Sequence, residues 1–300
     1  MALCNCDVAI GNTGRPGCIQ LLDVTQFLFL MHTTAADGTR NGIPVNTVVD
    51  QAYITARIND PDETKRWYPT LKLSTVEDVR AEPVTQEIDG KAFILREGTR
   101  TFKGSAVRAS YVYLSKLKGA ECAQISCFNA DGQNRLSGTV SEDGLNFYPH
   151  LIEEGTFHVS LVKPTREAVQ QVDMMFAYSE YELDEKIDMF TTSANFADIA
   201  ASGGLIDAFA EVTVITTTGF TAELTSEYGT VNNPHHIQGL KAADFAIQNR
   251  TTSTAVVPTT VTETGKGIYA IAFAAQAVGD VLVITSGRSG LFMDFLVVIP

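Results

Sequence analysis

Apolar and polar residues alternate with a period of two along much of the first two hundred residues. Over Phe157–Leu161 three apolar side chains share one face and two polar side chains take the other, and Val172–Tyr178 repeats the pattern. Because successive side chains of a strand point to opposite faces of a sheet, both segments are predicted to be strands. Lys91–Leu95 and Thr99–Lys103 predict a further strand pair, joined by Glu97-Gly98.

Turns and one helix are predicted between these strands. Asp-Gly dipeptides, which favour tight hairpin turns because both residues adopt positive φ, occur at Asp37, Asp89, Asp131 and Asp143. Apolar residues recur at helical spacing over Val107–Lys118, and Gly119 is placed to end that helix. Ile19–Leu30 fits a buried strand or a helix equally well. We predict a mainly β domain with one helix packed on a sheet.

A second domain is predicted after the glycine-rich segment 201–204. The last 95 residues carry 12 charged side chains and the preceding 205 carry 45, so charge density falls by nearly half there. We divide the chain into domains 1–202 and 203–300. Short Thr- and Val-rich runs with turn residues between them predict a β-sandwich of immunoglobulin type in the second domain. That domain contains neither Cys nor Trp, so the prediction rests on spacing, and Leu240–Phe245 is a candidate short helix.

Composition limits the classes of function. Hydrophobic residues make up 45% of the 300 residues, which excludes a disordered chain, and the net charge of −13 argues against a protein that grips duplex DNA through a basic face. The N-terminus lacks the pattern of a secretory signal, and the longest apolar stretch, Ile268–Val278, is too short for a membrane helix. We therefore expect no membrane partner, synthesis in a cytoplasm and reduced thiols.

Cysteine and histidine residues offer two candidate metal sites. Cys4, Cys6 and Cys18 lie in one stretch, as zinc ligands often do, but their spacing is not that of common zinc knuckles and no histidine precedes His32. His235-His236 lies on a predicted loop, yet adjacent side chains usually diverge. We predict neither a metal nor another cofactor.

The sequence contains no complete catalytic motif. Cys127 with His150 or His158 is a candidate thiol–imidazole pair, although a cysteine inside the apolar run Ile125–Phe128 is more typical of a core. The glycine-rich run Gly11–Gly17 lacks the Gly-Lys-Ser/Thr of a phosphate-binding loop. We expect that the protein is not an enzyme.

Three segments suggest a family: Arg66–Pro69, Arg80–Gln86 and Arg96–Gly104. Together with the order of elements that follows them, they resemble the major tail tube protein of long-tailed bacteriophages, over roughly Ile19–Phe190. The resemblance implies a virion protein, made in the host bacterial cytoplasm, that forms hexameric rings. In these rings the hairpin strands of all copies close a central β-barrel, and the rings stack into the tail tube.

The resemblance also implies the partners: other copies of the chain, other tail proteins, and DNA that passes through the channel without sequence-specific binding. An acidic channel repels phosphate and lets DNA slide. The candidates for the channel wall are three acidic residues of the predicted hairpin, Glu87, Asp89 and Glu97. The candidates for ion pairs between subunits are three basic residues, Arg96, Arg100 and Lys103. The second domain would decorate the outside of the tube.

Two other functions remain open at this point. The chain is alternatively a head decoration or fibre-anchoring protein, in which the second domain is the attachment module. A carbohydrate-binding surface module is the other alternative, but it needs clustered exposed aromatic side chains, and the only tryptophan, Trp67, lies in the first domain.

Overall fold

A computed structural model describes residues 21–181, 184–191, 202–230 and 232–300. Strands account for 53% of the structure and helices for 8%, which confirms the mainly β prediction. The sheets form a half-barrel and a nearly closed barrel. None of the helices in these ranges is both long and apolar enough to cross a membrane.

The first domain contains fourteen strands in its described part. In chain order they are β1 (Thr25–His32), β2 (Ile43–Pro44), β3 (Tyr68–Pro69), β4 (Leu73–Arg80), β5 (Val84–Ile88), β6 (Lys91–Arg96), β7 (Arg100–Val107), β8 (Ile125–Asp131), β9 (Arg135–Val140), β10 (Asn146–Tyr148), β11 (His150–Leu151), β12 (His158–Val162), β13 (Gln171–Ala177) and β14 (Ile187–Thr191). Eight of them form one sheet, with the order β2-β10-β9-β8-β1-β3 and with β11 and β14 on β8 and β9. A second sheet has the order β12-β13-β7-β4, and β5 pairs only with β6.

The predicted helix exists, but it is shorter than expected. Helix α2 spans Tyr111–Lys118 and begins after Ser110, whose side chain accepts a hydrogen bond from the backbone N–H of Tyr113. Val107, the first residue of the predicted helical pattern, belongs to β7 instead. Gly119 is the C-cap, as predicted.

A second helix, α1 (Gln51–Ile58), corrects the prediction of a single helix. Asp50 caps it by accepting a hydrogen bond from the N–H of Tyr53 at 2.8 Å. Only Ile54 and Ile58 of α1 are buried. Two apolar contacts over eight residues are too few to create a clear helical stripe in the sequence.

The predicted pairing of Lys91–Leu95 with Thr99–Lys103 is wrong. β6 pairs with β5, and β7 pairs with β4 and β13. The cause lies at Asp89-Gly90, where both residues have positive φ (52° and 75°) and close a tight turn between β5 and β6. Among the four Asp-Gly dipeptides, this is the one in which both residues adopt positive φ.

Two cores lie on opposite faces of the eight-stranded sheet. On one face, Leu28 and Cys127 pack against the four-stranded sheet, which contributes Phe102 and Phe176. Helix α2 closes this core through Leu117. On the other face, a cluster around Trp67 packs against α1. All seven residues of β8 are therefore buried, since both faces of this strand are covered.

The second domain contains nine strands in its described part. They are β15 (Ile206–Thr216), β16 (Gly219–Thr230), β17 (Asn233–His236), β18 (Phe245–Asn249), β19 (Thr254–Val256), β20 (Pro258–Gly265), β21 (Ile268–Phe273), β22 (Val281–Ser286) and β23 (Leu291–Val298). Their order is β19-β18-β22-β23-β15-β16-β21-β20, with β17 on β16. The end strands β19 and β20 are separated in the chain by Val257 alone, so the two ends of this sheet lie together and nearly close a barrel.

The immunoglobulin-type assignment stays a prediction. The short helix predicted within Leu240–Phe245 is a 3-10 turn at Ala242–Asp244.

Candidate assembly interface

One long hairpin runs out of the four-stranded sheet. β4 pairs with β7 so that Arg80 faces Arg100, and β5 pairs with β6 so that Val84 faces Arg96. The register of β4 with β7 continues to the pair of Val84 with Arg96, and the backbone N–H of Ala81 bridges the gap by donating to the carbonyl of Thr99 at 3.0 Å; the register then shifts by one residue between Val84 and Thr85. β5 and β6 are therefore the free end of the β4–β7 hairpin. We call this end, Val84–Arg96, the ribbon.

Gly98 allows two backbone segments of the hairpin, at Gly98 and at Ala81, to pass close to each other where the ribbon begins. A Cβ atom at this position would lie 1.7 Å from the carbonyl oxygen of Ala81. No side chain fits at such a distance, so glycine is required here for steric reasons.

The ribbon is exposed on both faces. Phe93 is 50% exposed, Ile94 67% and Leu95 57%, and Val84 at the base of the ribbon is 46% exposed. A two-stranded hairpin without a third strand or a packed face is marginally stable in water. Contiguous exposed apolar side chains of this kind are typical of a surface that binds another protein.

The predicted acidic wall residues lie at separate places on this hairpin. Glu87 is in β5 opposite Ala92, and Asp89 is in the turn at the tip. Glu97 follows β6 and binds Arg80, with Glu97 Oε2 2.9 Å from Arg80 Nη1. Glu87 and Asp89 thus lie at the free end, whereas Glu97 lies at the root.

The predicted subunit-interface residues are also separated. Arg96 ends β6 on the ribbon and is exposed. Arg100 binds Asp78 of its own chain through two hydrogen bonds of 2.6 and 2.7 Å. Burial alone lowers the pKa of Arg100, but the hydrogen bonds and charge of Asp78 outweigh it and raise the pKa. Arg100 is therefore an anchor of the hairpin within its own chain.

The contacts of Arg100 continue into the core. The guanidinium of Arg100 lies 4.9 Å from the ring centre of Tyr178, and the Tyr178 hydroxyl accepts a hydrogen bond of 2.9 Å from Asn129 Nδ2. Burial raises the pKa of Tyr178 well above its usual range, so the hydroxyl stays protonated. Sequence reasoning missed this network because Asp78, Asn129 and Tyr178 are far apart in the chain.

The two edges of the four-stranded sheet differ. β4 is the last strand on one side, and most of its side chains are exposed. β12 is the last strand on the other side, where Glu121 Oε1 accepts a hydrogen bond of 3.0 Å from the backbone N–H of Val159. A carboxylate that covers an edge N–H discourages uncontrolled strand pairing. Because the four strands alternate in direction, β4 and β12 run in opposite directions.

The outward face of the same sheet is polar. One row across it contains His158, Met175, Lys103 and Glu77. The next row contains Ser160, Asp173, Ser105 and Thr75. Lys103, predicted between subunits, therefore lies on the face of the sheet rather than at an edge.

The candidate thiol–imidazole pair is brought together but is inaccessible. Cys127 faces His150 in the pairing of β8 with β11, and the two residues are 0% and 1% exposed. His150 Nε2 lies 3.0 Å from Ser137 Oγ. A substrate has no path to either group. Within the described ranges no group of three or more potential metal ligands occurs, and Cys4, Cys6 and Cys18 lie outside those ranges.

No protein-family model matches the chain, and no curated protein matches it.

Proposed function

We propose that this chain is a tail tube protein of a bacteriophage virion, which assembles into stacked hexameric rings around a channel for DNA. The observation that carries the proposal is the four-stranded sheet with two open ends, prolonged on one side by an exposed apolar ribbon. A monomer leaves this surface without a partner, whereas a ring of copies covers it.

The directions of the edge strands support ring closure. When β4 of one copy lies beside β12 of the next, the two strands are antiparallel, as are all other neighbours in this sheet. Every copy can therefore repeat the same contact around a ring. Release of Val159 N–H from Glu121 then frees a backbone donor for the neighbouring strand.

The dimensions also support a conduit. Six copies of a four-stranded sheet supply 24 strands, which at about 4.8 Å between strands give a circumference of about 115 Å and a diameter of about 37 Å. Strand tilt widens such a barrel further. This is ample for duplex DNA, whereas a ring of three copies has half the diameter, about 18 Å between backbones, which is too narrow for a duplex.

The charges of the outward sheet face support a channel that does not hold DNA. Two carboxylates, Glu77 and Asp173, outnumber the single ammonium of Lys103, and the remaining side chains in the two rows are neutral apart from His158. The ribbon adds Glu87 and Asp89 near its tip. An acidic wall repels phosphate.

The strand order of the second domain supports an immunoglobulin-type decoration. Immunoglobulin domains place the first, second, fifth and fourth strands in one sheet and the third, sixth and seventh in the other. We leave out β17 and count β19 as an extra edge strand, so that β15, β16, β18, β20, β21, β22 and β23 are the first to seventh strands. The order β15-β16-β21-β20 is then first, second, fifth, fourth, and β18-β22-β23 is third, sixth, seventh. The parallel pair β15 and β23 joins the two groups.

Electron microscopy of the purified full-length protein tests the proposal. We expect rings of six copies, or tubes built from them, at high protein concentration. A uniform monomer or a closed dimer at all concentrations contradicts it. Virion fractionation, with the chain expected in purified tails together with other tail proteins, tests the assignment to the tail.

A further inference from the structure

The two outer strands of the four-stranded sheet differ in how far their backbone is open to another strand. β4 is exposed along most of its length. In β12, His158 and Ser160 are exposed, but Val159 between them is 0% exposed as a whole residue. The side chain of Val159 packs in the core, and its backbone N–H points out of the sheet edge to Glu121. β12 is therefore closed at this position.

A carboxylate closes this position of the edge. Glu121 Oε1 lies 3.0 Å from the backbone nitrogen of Val159 and 3.2 Å from His158 Nδ1. A buried backbone N–H needs an acceptor, and a charged acceptor makes one of the stronger hydrogen bonds in a protein. A strand from another copy would have to supply its own acceptor to this same N–H. Glu121 and an incoming strand therefore compete for Val159.

The turn that carries Glu121 is packed on the core. Residues 119–123 follow α2, and the backbone N–H of Glu121 donates to the carbonyl of Lys118 at 3.2 Å. On either side of Glu121, Ala120 and Ala123 pack against the core between the two sheets of the first domain. The backbone of this turn therefore holds the carboxylate beside the edge strand.

We propose that Glu121 keeps the β12 edge of the free subunit closed, so that ring formation has to displace it. This regulation rests on the proposed function, because it acts at the contact between β4 of one copy and β12 of the next. Each such contact uses one β4 edge and one β12 edge. Closing β12 alone is therefore enough to inhibit every contact in a ring.

The displacement exchanges one hydrogen-bond acceptor for another. Glu121 Oε1 leaves the backbone N–H of Val159, and a backbone carbonyl from β4 of the neighbouring copy takes its place. The released carboxylate keeps His158 Nδ1 as a partner, and the Glu121 side chain, which is 25% exposed, reaches water. The carboxylate is therefore not left buried without a partner, which would be costly. The edge can open without unfolding of the turn.

This exchange predicts how assembly begins. A hydrogen bond to a charged group stabilises a protein more than one between neutral groups, so the closed edge disfavours the first contact between two copies. In a ring each copy makes two contacts, and the last contact forms within one assembly, where the effective concentration is high. Ring formation should therefore start slowly and speed up once several copies have joined.

Hydrogen exchange of the Val159 amide tests whether Glu121 closes the edge. NMR follows individual amides of the full chain at a concentration where it is monomeric. In Glu121→Ala we expect the Val159 amide to exchange at least tenfold faster than in the unmodified protein, while the amides of β13, inside the sheet, are unchanged. Equal exchange at Val159 overturns the proposal. Faster exchange throughout the sheet also overturns it, since the loss is then a general destabilisation.

Assembly kinetics test the inhibition itself. Removal of Glu121 also removes one negative charge from a chain of net charge −13, which by itself favours association. Glu154→Ala is the matched control, because it removes the same charge at an exposed position between β11 and β12 and leaves the edge closed. We expect the half-time of ring formation, followed by light scattering at fixed concentration, to be at least tenfold shorter in Glu121→Ala than in Glu154→Ala.

Glu121→Gln separates the acceptor from its charge. The amide oxygen of glutamine still accepts a hydrogen bond from Val159 but carries no charge, so the half-time should lie between those of the unmodified protein and Glu121→Ala. Equal half-times in Glu121→Ala and Glu154→Ala overturn the inhibitory role. Absence of rings in every one of these proteins contradicts the proposed function and this regulation together, whereas rings that form at the same rate contradict the regulation alone.

Discussion

Arg80 lies directly opposite Arg100 in the pairing of β4 with β7. Two guanidinium groups at facing positions repel each other. Asp184 Oδ1 relieves this repulsion, since it lies 2.7 Å from Arg80 Nη2 and 3.9 Å from Arg100 Nη1. Asp78 binds Arg100 and Glu97 binds Arg80. The root of the ribbon is therefore held by ion pairs rather than by apolar packing.

The pair between Asp78 and Arg100 is the best protected of these contacts, with side-chain exposures of 22% and 23%. Replacement of Asp78 with Asn removes the charge from both hydrogen bonds, and we expect the free energy of unfolding to fall by about 2 kcal/mol. Urea unfolding measures this change. Glu77→Gln, on the exposed face, is the control and should change stability by less than about 0.5 kcal/mol. Equal losses in both variants would show that the pair between Asp78 and Arg100 has no special role.

Gly98 permits a test that separates assembly from folding. We expect Gly98→Ala to disturb the root of the ribbon, because the added Cβ overlaps the carbonyl of Ala81. Polymer yield at fixed concentration should fall at least tenfold. The melting temperature should change by less than about 2 °C, because the ribbon adds little to the core. Gly203→Ala is the control, since a Cβ there meets nothing within 4 Å. A normal polymer in the Gly98 variant contradicts the role of the ribbon.

Strands with one buried face were predictable from the sequence. β13 shows why: Val172, Met174 and Phe176 are buried, and the residues between them face outward. The pairing of β6 was not predictable in the same way, because a strand exposed on both faces has no alternation to fix its partner. The turn at Asp89-Gly90 carried the necessary signal, since it joins β5 to β6.

The assembly surface was only partly predictable, for a related reason. The acidic residues of the hairpin were recognisable, but Arg100 and Lys103 were assigned to the subunit interface from charge alone. Arg100 is held by Asp78, and Lys103 lies in an outward row of the sheet. Only the register between β4 and β7 brings these neighbours beside Arg100 and Lys103. A cleft between the two domains is lined by Leu71, Tyr113 and Ile206, which no local pattern connects.

The hydrogen bond between Glu121 and the backbone N–H of Val159, at the edge of β12, depends on pH. The backbone N–H of Val159 is the main cause of the lowered pKa of Glu121, which normally lies at 4.5. The folded state therefore favours the carboxylate. This stabilisation is complete above pH 4.5 and is lost as the pH falls through the lower folded-state pKa.

Glu121→Gln should therefore melt at a lower temperature than the unmodified protein at pH 7. The difference should shrink as the pH falls below about 4.5, which thermal unfolding across this range measures. Glu154→Gln, at an exposed position, is the control and should show no such convergence. A difference that stays constant with pH contradicts the role of the carboxylate.

Truncation after Ser202 tests which domain assembles. All strands of the four-stranded sheet and the ribbon precede this residue, so rings should still form. Light scattering and electron microscopy measure ring formation. A strictly monomeric truncated chain, beside an assembling full chain, contradicts assembly through the first domain.

The wall of the channel makes the most specific prediction. In an assembled ring the outward face of the four-stranded sheet should line the channel, because its other face, which carries Phe102 and Met174, is buried in the core. The lining should then contain Glu77 and Asp173 of every copy, with Lys103 as the opposing charge. A reconstruction that resolves the channel measures this directly. Channel atoms contributed by the second domain, or a net positive wall, would contradict the conduit even if the protein proves to be part of a virion.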